Sequence, residues 1–194
     1  MKKVWLILLL TPLLLFGQDD YSYQNQDEYG MGLSIAMSGF GIGGYYRFAM
    51  PNDFFVGASL DFYLMRDEKQ VTYYDPYYGI PIERNKVNRL YVIPFTVELK
   101  RRLFAESIED SFRPYLIGAA GATFGMNFPK IAGLDDEYRT TFNLEIGFGV
   151  DFTRDNDFYV SVRPQYRIIY FPEEIASKKN HSSFEIRIEL GKRR

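Results

Sequence analysis

Along most of the chain, large apolar side chains recur at every second position. Between 54 and 64 one face carries Phe54, Val56, Ala58, Leu60, Phe62 and Leu64, and the other carries Phe55, Gly57, Ser59, Asp61 and Tyr63. A period of two defines a strand with each face in a different environment. The same period sets Phe142, Leu144, Ile146, Phe148, Val150 and Phe152 against Asn143, Glu145, Gly147, Gly149 and Asp151. It sets Phe158, Val160, Val162, Tyr166 and Ile168 against Ser161, Arg163, Gln165 and Arg167. Near the end Phe184, Ile186, Ile188 and Leu190 oppose Glu185, Arg187 and Glu189, and in 89–101 Tyr91, Ile93, Phe95, Val97 and Leu99 oppose Thr96, Glu98 and Lys100. In 29–37 Tyr29, Met31, Leu33, Ile35 and Met37 oppose Gly30, Gly32, Ser34 and Ala36; in 40–48 Phe40, Ile42, Tyr46 and Phe48 oppose Gly41, Gly43, Tyr45 and Arg47. Residues 112–125 read as an eighth strand whose many small residues leave its faces alike.

Eight strands, most of 9 to 14 residues, are long enough to cross a bilayer when tilted. Their connectors alternate in length. Pro51-Asn52-Asp53 and Arg154-Asp155-Asn156-Asp157 are tight turns and 103–111 a modest one, while 67–87, 126–138 and 171–181 are longer. Short turns on one side and long loops on the other are the habit of an outer-membrane barrel. The short link near Ser38 to Gly41 is the exception. Pro94, Pro114 and Pro164 fall inside strands and remove ladder donors, which predicts bulges that reverse the inside and outside faces beyond them.

Gly39, Gly41 and Gly44 match the spacing G-x-G-x-x-G of a phosphate-cradling loop. That loop needs a helix behind it, but the next residues are Tyr45-Tyr46-Arg47-Phe48 and then Pro51, which is strand chemistry. The glycines read instead as room left for bulky neighbours on a crowded concave face.

The start, MKKVWLILLLTPLLLFGQ, has two lysines, an apolar run and a small residue at Gly17, the layout of a cleaved secretory signal. The expected organisation is a signal peptide at 1–17, a short segment at 18–28 and a β-barrel at 29–194. The chain has no cysteine, so neither a disulfide framework nor lipidation at cysteine is available. A net charge of -2 gives no electrostatic case for nucleic acid. Aromatic residues make up 18% of the chain while its mean hydropathy is only -0.23, which alternation reconciles.

Alternation is equally compatible with a soluble barrel whose apolar face lines a cavity. Lipid outside is favoured because the polar face carries Gly, Ser, Ala and Thr, suited to a narrow interior. Tyr29, Tyr91, Tyr170 and Phe171 stand near strand ends, where interfacial girdles form. The polar face also nearly balances its charge. Arg47, Lys100, Arg163, Arg167 and Arg187 stand against Asp61, Glu98, Glu145, Asp151, Glu185 and Glu189, a set able to pair in a sparsely hydrated lumen. The expected fold is therefore all-β, an eight-stranded antiparallel up-and-down transmembrane barrel.

The signal peptide, RLYVIPFTVELKRRLF (89–104), FRPYLIGAAGATFGMNF (112–128) and the alternating last strand together resemble the small bacterial outer-membrane β-barrel domain family, similar to the eight-stranded barrel of outer membrane protein A and its relatives. The resemblance covers nearly the whole mature chain and implies an architecture more than an activity. It implies outer-membrane lipid and lipopolysaccharide as surroundings and the outer-membrane insertion machinery as a partner in assembly. That family usually ends on an aromatic residue, whereas here Leu190 is followed by Gly-Lys-Arg-Arg.

Catalytic, cofactor and metal sites are not expected. His181 in Asn180-His181-Ser182-Ser183 has the H-x-S spacing of the pair in outer-membrane lipid A deacylases, with Glu185 or Glu189 as a conceivable acid. The alternative is a loop histidine at the membrane interface. Asp135-Asp136-Glu137 lacks the spacing of a calcium loop. Tyr73, Tyr74, Tyr77 and Tyr78 surround Asp75-Pro76 in the longest loop, a composition suited to contact surfaces. Three functions stand open: a structural or surface-interaction barrel meeting external partners through 67–87 and 171–181, a narrow pore, and a lipid-modifying enzyme. Eight strands leave an interior just filled by side chains, which ranks the plugged barrel above the pore.

Overall fold

The computed structural model describes residues 26–65, 71–84, 89–105, 107–108, 111–129, 135–153 and 158–194, for 71–75 and 80–84 in backbone only. The expected signal segment and the expected turn at 154–157 lie outside these residues. Among the described residues there are strands and turns and no helix: β1 (Glu28–Ala36), β2 (Gly39–Met50), β3 (Phe54–Met65), β4 (Val71–Asp75), β5 (Ile80–Arg84), β6 (Leu90–Arg102), β7 (Phe112–Asn127), β8 (Glu137–Thr153), β9 (Phe158–Ile175), β10 (Lys178–Asn180) and β11 (Ser183–Arg193).

Eight of them close a barrel in the order β9-β11-β1-β2-β3-β6-β7-β8, with β8 returning to β9. Every pairing is antiparallel. The first and last strands make the seam, with Glu28 opposite Arg193 and Ala36 opposite Glu185. Closure leaves no unpaired edge, the condition for a sheet to sit in hydrocarbon. Burial alternates along each wall strand, and the interior positions are those of the polar, small-residue face.

The prolines do not shift the register, contrary to the expected bulges. Pro94 stands opposite Thr123, and Pro114 opposite Val150, within unbroken ladders. Pro164 stands opposite Ile186 in the same way. On the other sides of Pro94 and Pro164 the ladders part and rejoin in register, β3 to β6 from Leu60↔Phe95 to Tyr63↔Val92 and β8 to β9 from Gly147↔Gln165 to Val150↔Val162. In an antiparallel sheet each N–H serves one neighbour, so a proline opens one side locally and leaves the alternation intact.

The loops also differ from expectation. Segment 67–87 contains a hairpin, β4 paired with β5 around a turn at 76–79. Segment 171–181 continues β9 to Ile175, turns through Ala176 and Ser177, and returns as β10. Ala176 and Ser177 both take left-handed backbone, with φ of 52° and 66°, as do Asn52 and Asp53 in the tight turn at the opposite end. Two consecutive left-handed residues match the right-handed twist of flanking strands.

Candidate functional site

The lumen is filled in two layers. Toward the chain termini lies a web of ion pairs drawn from seven of the eight wall strands. Arg47 donates from Nε to Glu98 at 2.7 Å and from both terminal nitrogens to Glu189 at 2.8 and 2.9 Å. Lys100 bridges Glu28 at 2.8 Å and Asp151 at 2.7 Å, under the ring of Tyr115 at 4.2 Å. Arg163 lies 3.3 Å from Glu145 and 3.3 Å from Glu189. Arg167 meets Glu145 at 2.9 Å, Glu185 at 3.0 Å and Asp61 at 3.3 Å, and Arg187 meets Asp61 at 2.6 Å and Glu189 at 3.0 Å. Gln165 donates to Glu185.

Buried charge in the barrel balances. Among the described residues the buried bases are Arg47, Lys100, Arg102, Arg163, Arg167, Arg187 and Arg193, and the buried acids are Glu28, Asp61, Glu98, Glu145, Asp151, Glu185 and Glu189. Each acid with a single partner would be costly to bury; sharing bases among acids offsets that cost. The eleven charges that alternation assigns to the polar face are all in this set. Three more were missed. Glu28, Arg102 and Arg193 lie one to three residues beyond the segments read as strands, on the same parity, and extending the period would have found them. Arg193 reaches Glu28 and Asp151, each at 3.5 Å, so Gly191-Lys192-Arg193 is the end of β11 and part of the lumen filling.

The long side chains explain the interior glycines. A Cβ at Gly32 would sit 2.6 Å from the Arg187 guanidinium, and one at Gly41 2.6 Å from the Tyr63 ring.

Toward the opposite mouth the filling becomes apolar: Tyr63, Met65, Leu90, Val92, Ile169, Phe171 and Ile175 form one buried cluster. Phe171 therefore does not belong to an interfacial girdle. Alternation runs on through the end of β9, so Tyr170 stays on the outer surface and Phe171, on the parity of Arg167 and Ile169, is fully buried beneath the mouth.

The outer wall is apolar and lacks charge among the described residues until its terminal end, where Arg101 lies over Phe54 at 5.0 Å and Lys192 over Phe158 at 5.2 Å. Ring pairs mark both rims. Tyr29–Tyr46, Tyr46–Phe48 and Phe112–Phe152 lie near the termini, while Phe62–Tyr91, Tyr91–Phe128 and Phe128–Tyr138 run around the mouth. An apolar belt between aromatic rims is the signature of a lipid-facing wall.

No protein-family profile matches the sequence, and no curated protein matches it. Solved structures do. The chain is similar to Neisserial surface protein A, with a TM-score of 0.61 at 12% identity over 87% of this chain and 96% of that one. It is also similar to the N-terminal β-barrel domain of OprF from Pseudomonas aeruginosa (TM-score 0.54, 11% identity, 87% and 97% covered). A third likeness is to the outer membrane protein OprG of the same organism (0.54, 12%, 87% and 95%). The fold is that of the small outer-membrane barrels.

His181 lies in the link between β10 and β11, but not on the lipid-facing surface. It is buried in the mouth, edge-on to Phe171 at 5.6 Å, and its Nε2 reaches the carbonyls of Lys178 at 3.1 Å and Ile175 at 3.3 Å. Carbonyls only accept, so Nε2 carries the proton. Nε2 thereby serves the β9–β10 turn. Glu185 and Glu189 are held in the ion-pair web, by Arg167 and by Arg47. Asp135 and Asp136 are exposed, and Glu137 accepts from the Asn127 amide at 2.9 Å and the Ala176 N–H at 2.7 Å. Among the described residues no group of three or more His, Cys, Asp or Glu side chains could hold a metal.

Proposed function

We propose that the protein is an integral outer-membrane barrel with a closed lumen, serving as a structural and surface-interaction element. The observation that carries this is the interior, where a web of paired charges and an apolar layer succeed one another along the axis. Ions entering such a lumen meet steric blockage and charges already satisfied by one another. With the expected export signal, the termini face the periplasm and the hairpin β4–β5 faces outward. Its tip exposes Tyr77 and Tyr78, 88% and 71% accessible and in edge contact at 5.3 Å, suited to an external partner or to lipopolysaccharide sugars. Planar bilayers are expected to carry little steady current with the unmodified protein. A large stable conductance would replace this reading with a pore. Incorporation should give a band on unheated gels that migrates faster than the heated one, and recovery as a soluble periplasmic monomer would overturn the assignment to the outer membrane.

A further inference from the structure

We propose that residues 170–180 are a hinged lid on the lumen, able to lift from the mouth while the barrel wall stays closed. The wall pairing of β9 ends at Ile169, opposite Asn143 on β8, and at Arg167, opposite Ser183 on β11. Beyond these rungs β9 pairs with β10, at Tyr170↔Asn180 and Ile175↔Lys178, with an irregularity between them. A two-stranded flap thus leaves the wall on both of its sides. The His181 N–H to the Ile169 carbonyl, at 2.9 Å, marks the joint where it leaves.

The flap lies across the opening. Phe171 and Ile175 are fully buried, and both approach Gly125 of β7, a strand that is not a neighbour of β9 in the wall. A Cβ at Gly125 would meet Phe171 at 2.9 Å and Ile175 at 3.0 Å. Polar contacts fasten the flap to β8, and at its root the Thr141 hydroxyl donates to the Tyr170 carbonyl at 2.6 Å. The Glu137 carboxylate accepts the Ala176 N–H at 2.7 Å, and Arg139 pairs with Glu173 at 2.9 Å. His181 ties the turn from within through its two carbonyl contacts. Lifting the flap therefore breaks one apolar contact set and a few polar contacts, but no rung of the eight-stranded ladder. Small opening units of this kind are the low-stability end of a structure. Once lifted, the lid uncovers Val92 and Met65, and beneath them the Arg167 and Asp61 layer. This goes beyond the closed-lumen reading, and it does not depend on any partner at the tyrosine tip.

The chain has no cysteine, so a single introduced thiol reports its own accessibility. Val92→Cys, in the protein reconstituted in lipid vesicles, would be reacted with a small charged methanethiosulfonate, with Met65→Cys as a second reporter in the same layer. Labelling should be slow in the otherwise unmodified chain. Adding Glu137→Ala should speed it about tenfold, the scale of losing a charge-assisted hydrogen bond. Adding Gly125→Leu instead, which wedges against Phe171 and Ile175, should speed it at least as much, with the heat-shifted gel band retained. A thiol at Ser161, near the terminal end, should keep its own slow rate in every background. Equal rates at Val92→Cys and Met65→Cys in all backgrounds would overturn the lid. So would acceleration that extends to Ser161→Cys or that comes only with loss of the folded band.

Discussion

The two halves of the lumen occupy the same tube and are filled by opposite chemistries. Near the termini, Arg47, Arg163, Arg167 and Lys100 each serve two or more acids, so the loss of one base weakens the pairing of several acids at once. Near the mouth, Val92, Ile169, Phe171 and Ile175 hold one another by contact alone, and part of that layer is supplied by a flap outside the wall. Buried ion pairs are weak sources of net stability, but breaking one is expensive, whereas apolar contacts are lost roughly in proportion to what is deleted. The charged half therefore acts as a fixed core and the apolar half as a replaceable cover.

The largest effect should come from Arg163→Ala with Arg167→Ala. This pair of changes leaves Glu145 without either of its bases, which lie at 3.3 and 2.9 Å. A loss of at least about 3–5 kcal/mol is expected in denaturant titrations in lipid, and any leak in planar bilayers should favour cations. A loss below about 1 kcal/mol would remove the distinction between the halves. Outside the lumen, Leu144→Arg places a charge on the wall where alternation demands lipid, and should cost about 2–4 kcal/mol in the same titration. Tolerance of that change would mean that the faces are exchanged.

In the apolar half, Ile169→Val should cost only about 1 kcal/mol and leave bilayer conductance unchanged. An effect as large as that of the arginine changes would show that the cover is as integral as the core. The smallest expected effect lies outside both halves. The Asp27 carboxyl is held below its ordinary range, first by the N–H of Ala49 at 2.9 Å and then by the Tyr46 hydroxyl at 2.8 Å. A lowered carboxyl contributes fully above the unfolded-chain value, and its contribution fades as pH falls through the folded one. Acid should therefore loosen the Ala49 amide, read by hydrogen exchange, before the lumen responds. Asp27→Asn should remove that pH dependence.

The wall was legible because lipid outside and a crowded interior both enforce a period of two, and Leu144, Glu145 and Ile146 display it without ambiguity. On β7 the same rule left the faces alike, since Ala119 points inward while Gly118, Ala120 and Ala122, of similar size, point outward. The mouth was less legible. Tyr170 and Phe171 are adjacent aromatics at a strand end, and the parity of Arg167 and Ile169 reaches them only because β9 runs on past its last wall rung, paired with β10. Pro164 posed the same difficulty, because a bulge and an opened rung share one sequence. In both cases the deciding interaction is between strands.

The seam between β1 and β11 bears on how the molecule is built. Glu28 from the first strand is neutralised by Lys100 and Arg193, and Glu189 from the last strand by Arg47 and Arg163. A growing sheet that has not yet met its own beginning carries these groups without their counterparts, in a medium where naked charge is prohibitive. Assembly is thereby made cooperative across its whole length: an incomplete intermediate must stay hydrated or shielded, and the step that joins the two ends also extinguishes its residual charge.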